Sequence, residues 1–466
     1  MPSQTNPAAD EAGHEAWLAA AARSLKGVDL ESLSTHTAEG VEIQPLYDAA
    51  MAPERLRAAA GWDIRASVSA PDPATVNDRA HEALGGGATS LLLDMRGMGS
   101  SADLARALDR VVLEAAPVAL DAGFAGPLAA EWLAEVARGS PAARLPLHLD
   151  PLSAFAEAGA SPGPIEAHLA GAAETAASLA PAYPGATLFA ASGRAAHEAG
   201  GSPAQELGMM AAAAVAYARA LGEAGAPLEG AFPRIVLGLS VDQQLLVSIA
   251  KLRAARRIWA RITGVCRAQA PARIEARSSR RMLTAVDPWT NLLRLTVAGF
   301  AGAVGGADAL VLGTYSDALG APAELARRLA RNTQLILAEE SHLGRTADAT
   351  AGAWAIESLT DQLARQGWGC FQAIEQQGGL VEALTSGTFA AEIAAVRSGR
   401  EAAVGEGTSP ILGVIRFPDP SPLPVDIDPG PAAEQLPDAR LPGPDSRCPP
   451  LTPIRVSAMA EQELAS

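Results

Sequence analysis

Cysteine, positive charge, aromatic residues and long apolar runs are all scarce in this chain. The three cysteines, Cys266, Cys370 and Cys448, lie far apart and form no CxxC pair. That argues against a disulfide framework and points to a reducing, cytoplasmic setting. Lys and Arg number 36 against 52 acidic residues, for a formal net charge of -16. A general nucleic-acid or anionic-membrane surface needs basic patches, so neither is expected. No stretch of ~20 apolar residues is present to span a bilayer. No apolar run follows a basic start, so no signal peptide is read. GxSxG, Walker A and HExxH motifs are missing as well. The glycines of "GGGATS" (Gly85–Ser90) precede a strand rather than a helix N-terminus, so they read as a tight turn and not a phosphate loop.

What remains is enough for a large core. The chain has 466 residues, 48% of them hydrophobic but only 4% aromatic, so Ala and Leu must fill the interior. Short apolar runs alternate with longer helical patterns from about residue 85. The runs are "TSLLLDM", "APVALDA", "RLPLHLD", "ATLFAAS", "RIVLGLS", "ARIEARS", "ADALVLG" and "QLILAEE". Most lack strict alternation, as strands do when both faces of a parallel sheet are buried. Eight strands alternating with helices predict an α/β fold, a (β/α)8 TIM barrel, with a doubly wound open sheet as the alternative. Three segments follow: an N-terminal extension over 1–84 with a helix and an extended stretch, the barrel over 85–417, and a Pro-rich tail over 418–466. The tail is expected to be polyproline-like or draped over a surface.

In a barrel, functional groups sit at the C-terminal ends of strands. That rule selects Asp94, Arg96, Asp121, His148, Asp150, Ser192, Glu275, Arg277, Glu339 and Glu340. His148 and Asp150 are two apart and share a strand side. They suit a base and its orienter, but are too few ligands for a metal; a hydrogen-bonded structural pair is the blander reading. His197 follows a strand end before a glycine elbow. Arg234 opens a strand after a proline and would need an anionic partner if buried. Arg256 and Arg257 repeat at helical spacing and read as a solvated or interface face. No metal site is expected.

Longer words in the sequence then carry a resemblance. "KLRAARRIWARI" (Lys251–Ile262), "LTAVDPWTNLLR" (Leu283–Arg294), "DALGAPAELARRLARNTQLILAEES" (Asp317–Ser341), "AIESLT" (Ala355–Thr360), "HEAGGSPAQELG" (His197–Gly208), "EGVEIQPLY" (Glu39–Tyr47) and "GWDIR" (Gly61–Arg65) resemble the methylmalonyl-CoA mutase family. The resemblance implies a (β/α)8 barrel that threads an acyl-CoA along its axis. It also implies an adenosylcobalamin domain carrying a DxHxxG motif.

The departures from that family are as informative. Where active members have Ser-Gly-Tyr-His, this chain has Arg194 at the Tyr and Ala195 at the His. Glu275 stands for a His and Arg277 for a Gln. In the Leu-His-Thr-Asn run, Val311 replaces the His and Gly313 the Asn. Only Arg234 keeps a substrate-side family residue, and no DxHxxG occurs. Donors to a developing radical or carbonyl are worth a few kcal/mol each, so the resemblance implies a non-catalytic, small-subunit type of barrel. Such a chain would bind no cobalamin itself. Its partner would be a catalytic large subunit carrying adenosylcobalamin. Two alternatives stand beside this reading. One is an anion-binding barrel holding an acyl-CoA through Arg234, Arg194, Arg277 and His197. The other is an independent enzyme using His148, Asp150 and Glu275.

Overall fold

The computed structural model describes residues 7–38, 40–48, 54–268, 270–430 and 436–465. Its centre is a ring of eight strands: β1 (Asp63–Val68), β2 (Ser90–Asp94), β3 (Val118–Asp121), β4 (Pro146–Leu149), β5 (Thr187–Ser192), β6 (Ile235–Val241), β7 (Ile274–Ser278) and β8 (Ala309–Val311). Every paired neighbour runs parallel. β8 closes on β1 through Ala309–Asp63 and Leu310–Ile64. Among the described residues, the ladder is interrupted only between β3 and β4. The fold is the predicted (β/α)8 barrel.

Strand periodicity sorts the side chains. Leu91 and Leu93 of β2, Val118 and Leu120 of β3, Leu147 and Leu149 of β4, and Ile274 and Ala276 of β7 join the main core against the surrounding helices. The alternate positions face the lumen. There Leu92, Ala119 and Val311 make a small apolar cluster of their own.

The outer helices are pinned by short, readable signals. Ser202 and Gln205 form a capping box at the start of the Pro203–Glu223 helix. That helix lies against the Trp354–Gln376 helix, with glycine at the contact from both sides. A Cβ on Gly208 would come within 2.6 Å of Cys370 Cβ, and one on Gly367 within 2.7 Å of Leu207 Cβ.

Three expectations change. "QLILAEE" is not a strand. The Glu324–Leu335 helix runs straight into a wider helical turn at Ile336–Glu340, with Leu337 buried and Ile336 exposed. The remaining strand is instead β1, which lies inside the segment assigned to the N-terminal extension. Nor are Arg256 and Arg257 on a solvated face. Arg256 is buried, donating to the carbonyls of Ala272 (2.7 Å) and Gly306 (2.5 Å) and to Asp308 Oδ2 (2.8 Å). Arg257 bonds Glu54 and Glu357 at 2.8 and 3.3 Å. Buried arginine survives by pairing its terminal nitrogens with acceptors.

Upstream of β1, a helix spans Pro7–Leu25, and two-residue strands pair Thr35–His36 with Glu42–Ile43. The start of the N-terminal extension, part of its link to β1 and a short piece of the tail lie outside the described residues. No helix among the described residues is long and apolar enough to cross a membrane.

Candidate functional site

The C-terminal ends of the strands open on a cavity of about 1170 Å³. Its polar centre grows from β7, where Glu275 and Arg277 both project inward. Arg277 Nε donates to Glu275 Oε1 at 2.7 Å, and Nη1 reaches Asp121 Oδ2 of β3 at 3.3 Å. From β1, Arg65 donates to Glu275 Oε2 through Nη1 and to Ser90 Oγ through Nε at 3.0 Å. A chain of charge thus runs Arg65–Glu275–Arg277–Asp121 across the barrel. Burial alone would raise the Glu275 pKa, but Arg277, His148 and Arg65 hold it well below the usual carboxylate range. These carboxylate lone pairs are committed to fixed cations, so Glu275 cannot act as a base near neutral pH.

His148 lies beside this chain, with Nε2 3.5 Å from Glu275 Oε2. Its backbone is left-handed at φ 49°, a costly conformation for a residue with a side chain. Both ring nitrogens are buried without hydrogen-bond partners. Burial pushes its pKa down to about 4. Asp150 does not pair with His148. It caps the Pro151–Ala158 helix through Ser153 N at 3.1 Å and accepts from the Tyr217 hydroxyl. Burial pushes its pKa up to about 7. The base-and-orienter pair expected from sequence is therefore split between two neighbourhoods.

Arg194 also lines the cavity. It makes no ion pair among the described residues, and its Nε is buried without a hydrogen-bond acceptor. Burial and then Arg277 lower its pKa, while Glu198 and Glu157 act the other way. Ala195, one residue on, is fully buried and does not reach the cavity. Gly313 donates its N–H to Ser278 Oγ at 2.7 Å, and a Cβ there would come within 2.6 Å of Asp317 Oδ2. A longer side chain has no room.

Two expected ligand residues lie elsewhere. Arg234 ends the turn before β6, at the opposite mouth of the barrel, where Nη1 donates to the Tyr183 carbonyl at 3.3 Å. His197 is sealed in the core. Its Nδ1 is 3.1 Å from Glu206 Oε2 and its Nε2 is 2.8 Å from Ser279 Oγ. The Ser–His–Glu order is that of a nucleophilic triad. Ser279 has no exposure, however, and Lys251 Nζ holds the same Glu206 oxygen at 2.5 Å. No substrate can reach that serine, so the arrangement is a structural knot. Burial opposes ionisation of Glu206, yet Lys251 and His197 hold its pKa at about 2.

Among the remaining sequence candidates, Asp94 and Arg96 bond each other at 2.5 Å, and Glu339 and Glu340 sit exposed on the helical turn. Sequence reasoning missed Arg65 and the Ser279 knot. Arg65 was signalled by one arginine in the otherwise extended "GWDIRASV"; the knot joins residues with no local pattern. Among the described residues, no cluster of three or more His, Cys, Asp or Glu side chains is arranged to hold a metal.

The Pro-rich tail completes the mouth. Ile427–Asp428 pairs with Ala321–Pro322 after β8. Farther on, Leu441 N donates to Pro162 O, Cys448 N to Gly159 O and Leu451 N to Ala156 O, all in the connection after β4. Ile454 N then bonds Glu198 O after β5, and Val456 N bonds Arg281 O after β7.

Fold and site together define an α/β barrel whose lumen is crossed by the Arg65–Glu275–Arg277–Asp121 chain of charge. The methylmalonyl-CoA mutase sequence profile matches residues 95–436, and the chain belongs to the methylmalonyl-CoA mutase family. It is 38% identical over 455 residues to the methylmalonyl-CoA mutase small subunit of Streptomyces virginiae, covering 91% of this chain and 73% of that protein. It is 32% identical over 429 residues to the small subunit of Propionibacterium freudenreichii subsp. shermanii, covering 87% and 66%. The methylmalonyl-CoA mutase of Escherichia coli is 33% identical over 224 residues, which is 47% of this chain and 31% of that protein. The chain spans roughly two thirds to three quarters of the length of these small subunits.

Proposed function

We propose that this chain is the small subunit of a methylmalonyl-CoA mutase. In this reading it is a catalytically degenerate barrel with a structural role. Its partner is a catalytic large subunit that carries adenosylcobalamin and interconverts methylmalonyl-CoA and succinyl-CoA. The carrying observation is the Arg65–Glu275–Arg277–Asp121 chain. It ties four charged groups of the lumen to one another, where catalysis would need them directed at a substrate. The small-subunit relatives match most of the chain, which supports the same reading. Three widely separated cysteines suit the reducing cytoplasm.

The test is co-expression with a methylmalonyl-CoA mutase large subunit, followed by size-exclusion chromatography. Co-elution of the two chains supports the reading. A large subunit that elutes alone in the presence of excess folded small chain refutes it.

One observation favours a second reading, an acyl-CoA-type anion-binding barrel. Arg194 faces the cavity without an ionic partner, and an unpaired arginine there suits a thioester's carboxylate or phosphate. Calorimetry with methylmalonyl-CoA should then show heat that Arg194→Ala abolishes. No heat at millimolar ligand rejects this reading.

A further inference from the structure

β4 carries an extra residue where it reaches the mouth of the barrel. Pro146 pairs with Thr187 of β5 and Leu149 with Phe189, so three steps on β4 answer two on β5. Such a bulge re-aims the side chain it carries. Leu147 and Leu149 pack into the main core, while His148, with its left-handed backbone, lines the cavity. The His148 side chain is 3% exposed, and neither ring nitrogen has a hydrogen-bond partner among the described residues. Glu275 Oε2, 3.5 Å from Nε2, is already taken by Arg65. A neutral imidazole has one donor and one acceptor, and leaving both unused in a buried place is costly.

Two charges share that side of the mouth. Arg194 directly follows β5, and Glu157 lies on the Pro151–Ala158 helix that follows β4; both line the cavity. Arg194 is the charge that acts most strongly on Glu157, yet neither makes an ion pair among the described residues. The neighbouring carboxylates are committed elsewhere. Glu198 accepts from Arg280 N at 3.2 Å and Arg281 N at 3.0 Å. Asp121 is engaged by Arg277, and Asp150 by Tyr217 and Ser153 N. This wall therefore offers a cation, an anion and an imidazole, all uncommitted. A simple anion would answer Arg194 and add to the charge of Glu157. A zwitterion answers both. Below, the Arg65–Glu275–Arg277–Asp121 chain stands in the path of any ligand threaded along the axis.

We propose that the cavity binds a free α-amino acid on its β4–β5 side, with the carboxylate on Arg194, the ammonium on Glu157 and a hydrogen bond to His148. The proposal rests on Arg194 facing the cavity, as the anion-binding reading does, and commits to a different ligand, a small zwitterion in place of a coenzyme A thioester. It does not depend on the subunit reading.

The test is calorimetry of the full chain against each proteinogenic L-amino acid in turn at millimolar concentration, with methylmalonyl-CoA as a separate arm. At least one amino acid should bind. The matching amine without the carboxylate, and the matching acid without the ammonium, should each bind about tenfold more weakly or worse. Arg194→Ala and Glu157→Gln should each weaken the amino acid by about tenfold or more. Glu157 is exposed, so Glu157→Gln keeps the fold even if the buried variant does not. In a chain made with isotope-labelled histidine, the amino acid should shift the ring-nitrogen resonances of His148, identified by their loss in His148→Asn; a histidine that only supports the fold would not respond. No heat from any amino acid overturns the proposal, as does binding that both Arg194→Ala and Glu157→Gln leave unchanged. Heat from methylmalonyl-CoA alone overturns it and leaves the acyl-CoA reading standing, whereas heat from an amino acid alone supports it and removes that reading.

Discussion

Arg65 of β1 and Glu275 of β7 are joined inside the barrel, each almost fully buried, although their strands are separated by β8. The contact places an ion pair where a ligand would otherwise lie. Its stability logic is asymmetric. A buried pair contributes little against a well-packed apolar substitute, but breaking one side strands the other charge.

Glu275→Ala should therefore destabilise the fold by about 3–5 kcal/mol, because Arg65 and Arg277 lose their shared carboxylate in a buried setting. Adding Arg65→Met and Arg277→Met to that variant should recover most of the loss. Urea denaturation of the single and multiple variants checks both statements.

The same reasoning separates two residues in the network outside the barrel. Glu357 has no exposure and accepts from Arg253 Nη2 at 2.7 Å, while Arg253 also bonds Asp348. Glu357→Ala should cost about 3–5 kcal/mol, as expected when one partner of a buried pair is lost. Arg257→Ala should cost about 1 kcal/mol or less, since its side chain is 20% exposed and shares three carboxylates. Denaturation midpoints of the two variants should differ in that order.

Two carboxyl groups give opposite pH dependences. Burial raises Asp150 from 3.8 to about 7. Between those values the folded chain keeps a proton that the unfolded chain releases, so stability falls as pH rises from about 4 to about 7. Glu206 is held at about 2 against an ordinary 4.5. Its contribution is present above about pH 4.5 and is lost as pH falls toward 2. Asp150→Asn should flatten the slope between about pH 4 and 7 and leave the acid limb in place, read as thermal midpoints across a pH series.

The Ser279–His197–Glu206 knot should be silent toward a fluorophosphonate probe. Ser279 is sealed, and a nucleophile without access has no rate to express. Labelling of the folded chain that disappears in Ser279→Ala would show that the seal opens. His197→Ala should lower stability without exposing any probe-reactive serine.

The sequence made most of the barrel legible, because seven of its strands are compact runs bounded by turns, six of them dominated by apolar residues. β1 escaped detection because Arg65 interrupts its pattern, and a lumen-facing charge looks polar until its partner 210 positions away is known. "QLILAEE" misled for the converse reason, since a short apolar run fits a strand or a buried helical turn equally well. Arginines repeat at helical spacing on a solvated helix and on a buried, ion-paired one alike, as those of Lys251–Ile262 do. Only the acceptors at Asp308, Asp348 and Glu357 distinguish the two. The replacements at Arg194, Glu275 and Val311 were visible as departures from a family pattern. That Glu275 would bond Arg65 and Arg277 was not, because it depends on strand register.

The central claim is that the lumen holds structure in place of chemistry. Turnover of methylmalonyl-CoA to succinyl-CoA, measured on the purified chain with adenosylcobalamin and no other protein, tests it most directly. The account predicts no product above the rate without protein. Succinyl-CoA formed in proportion to the concentration of this chain would contradict it.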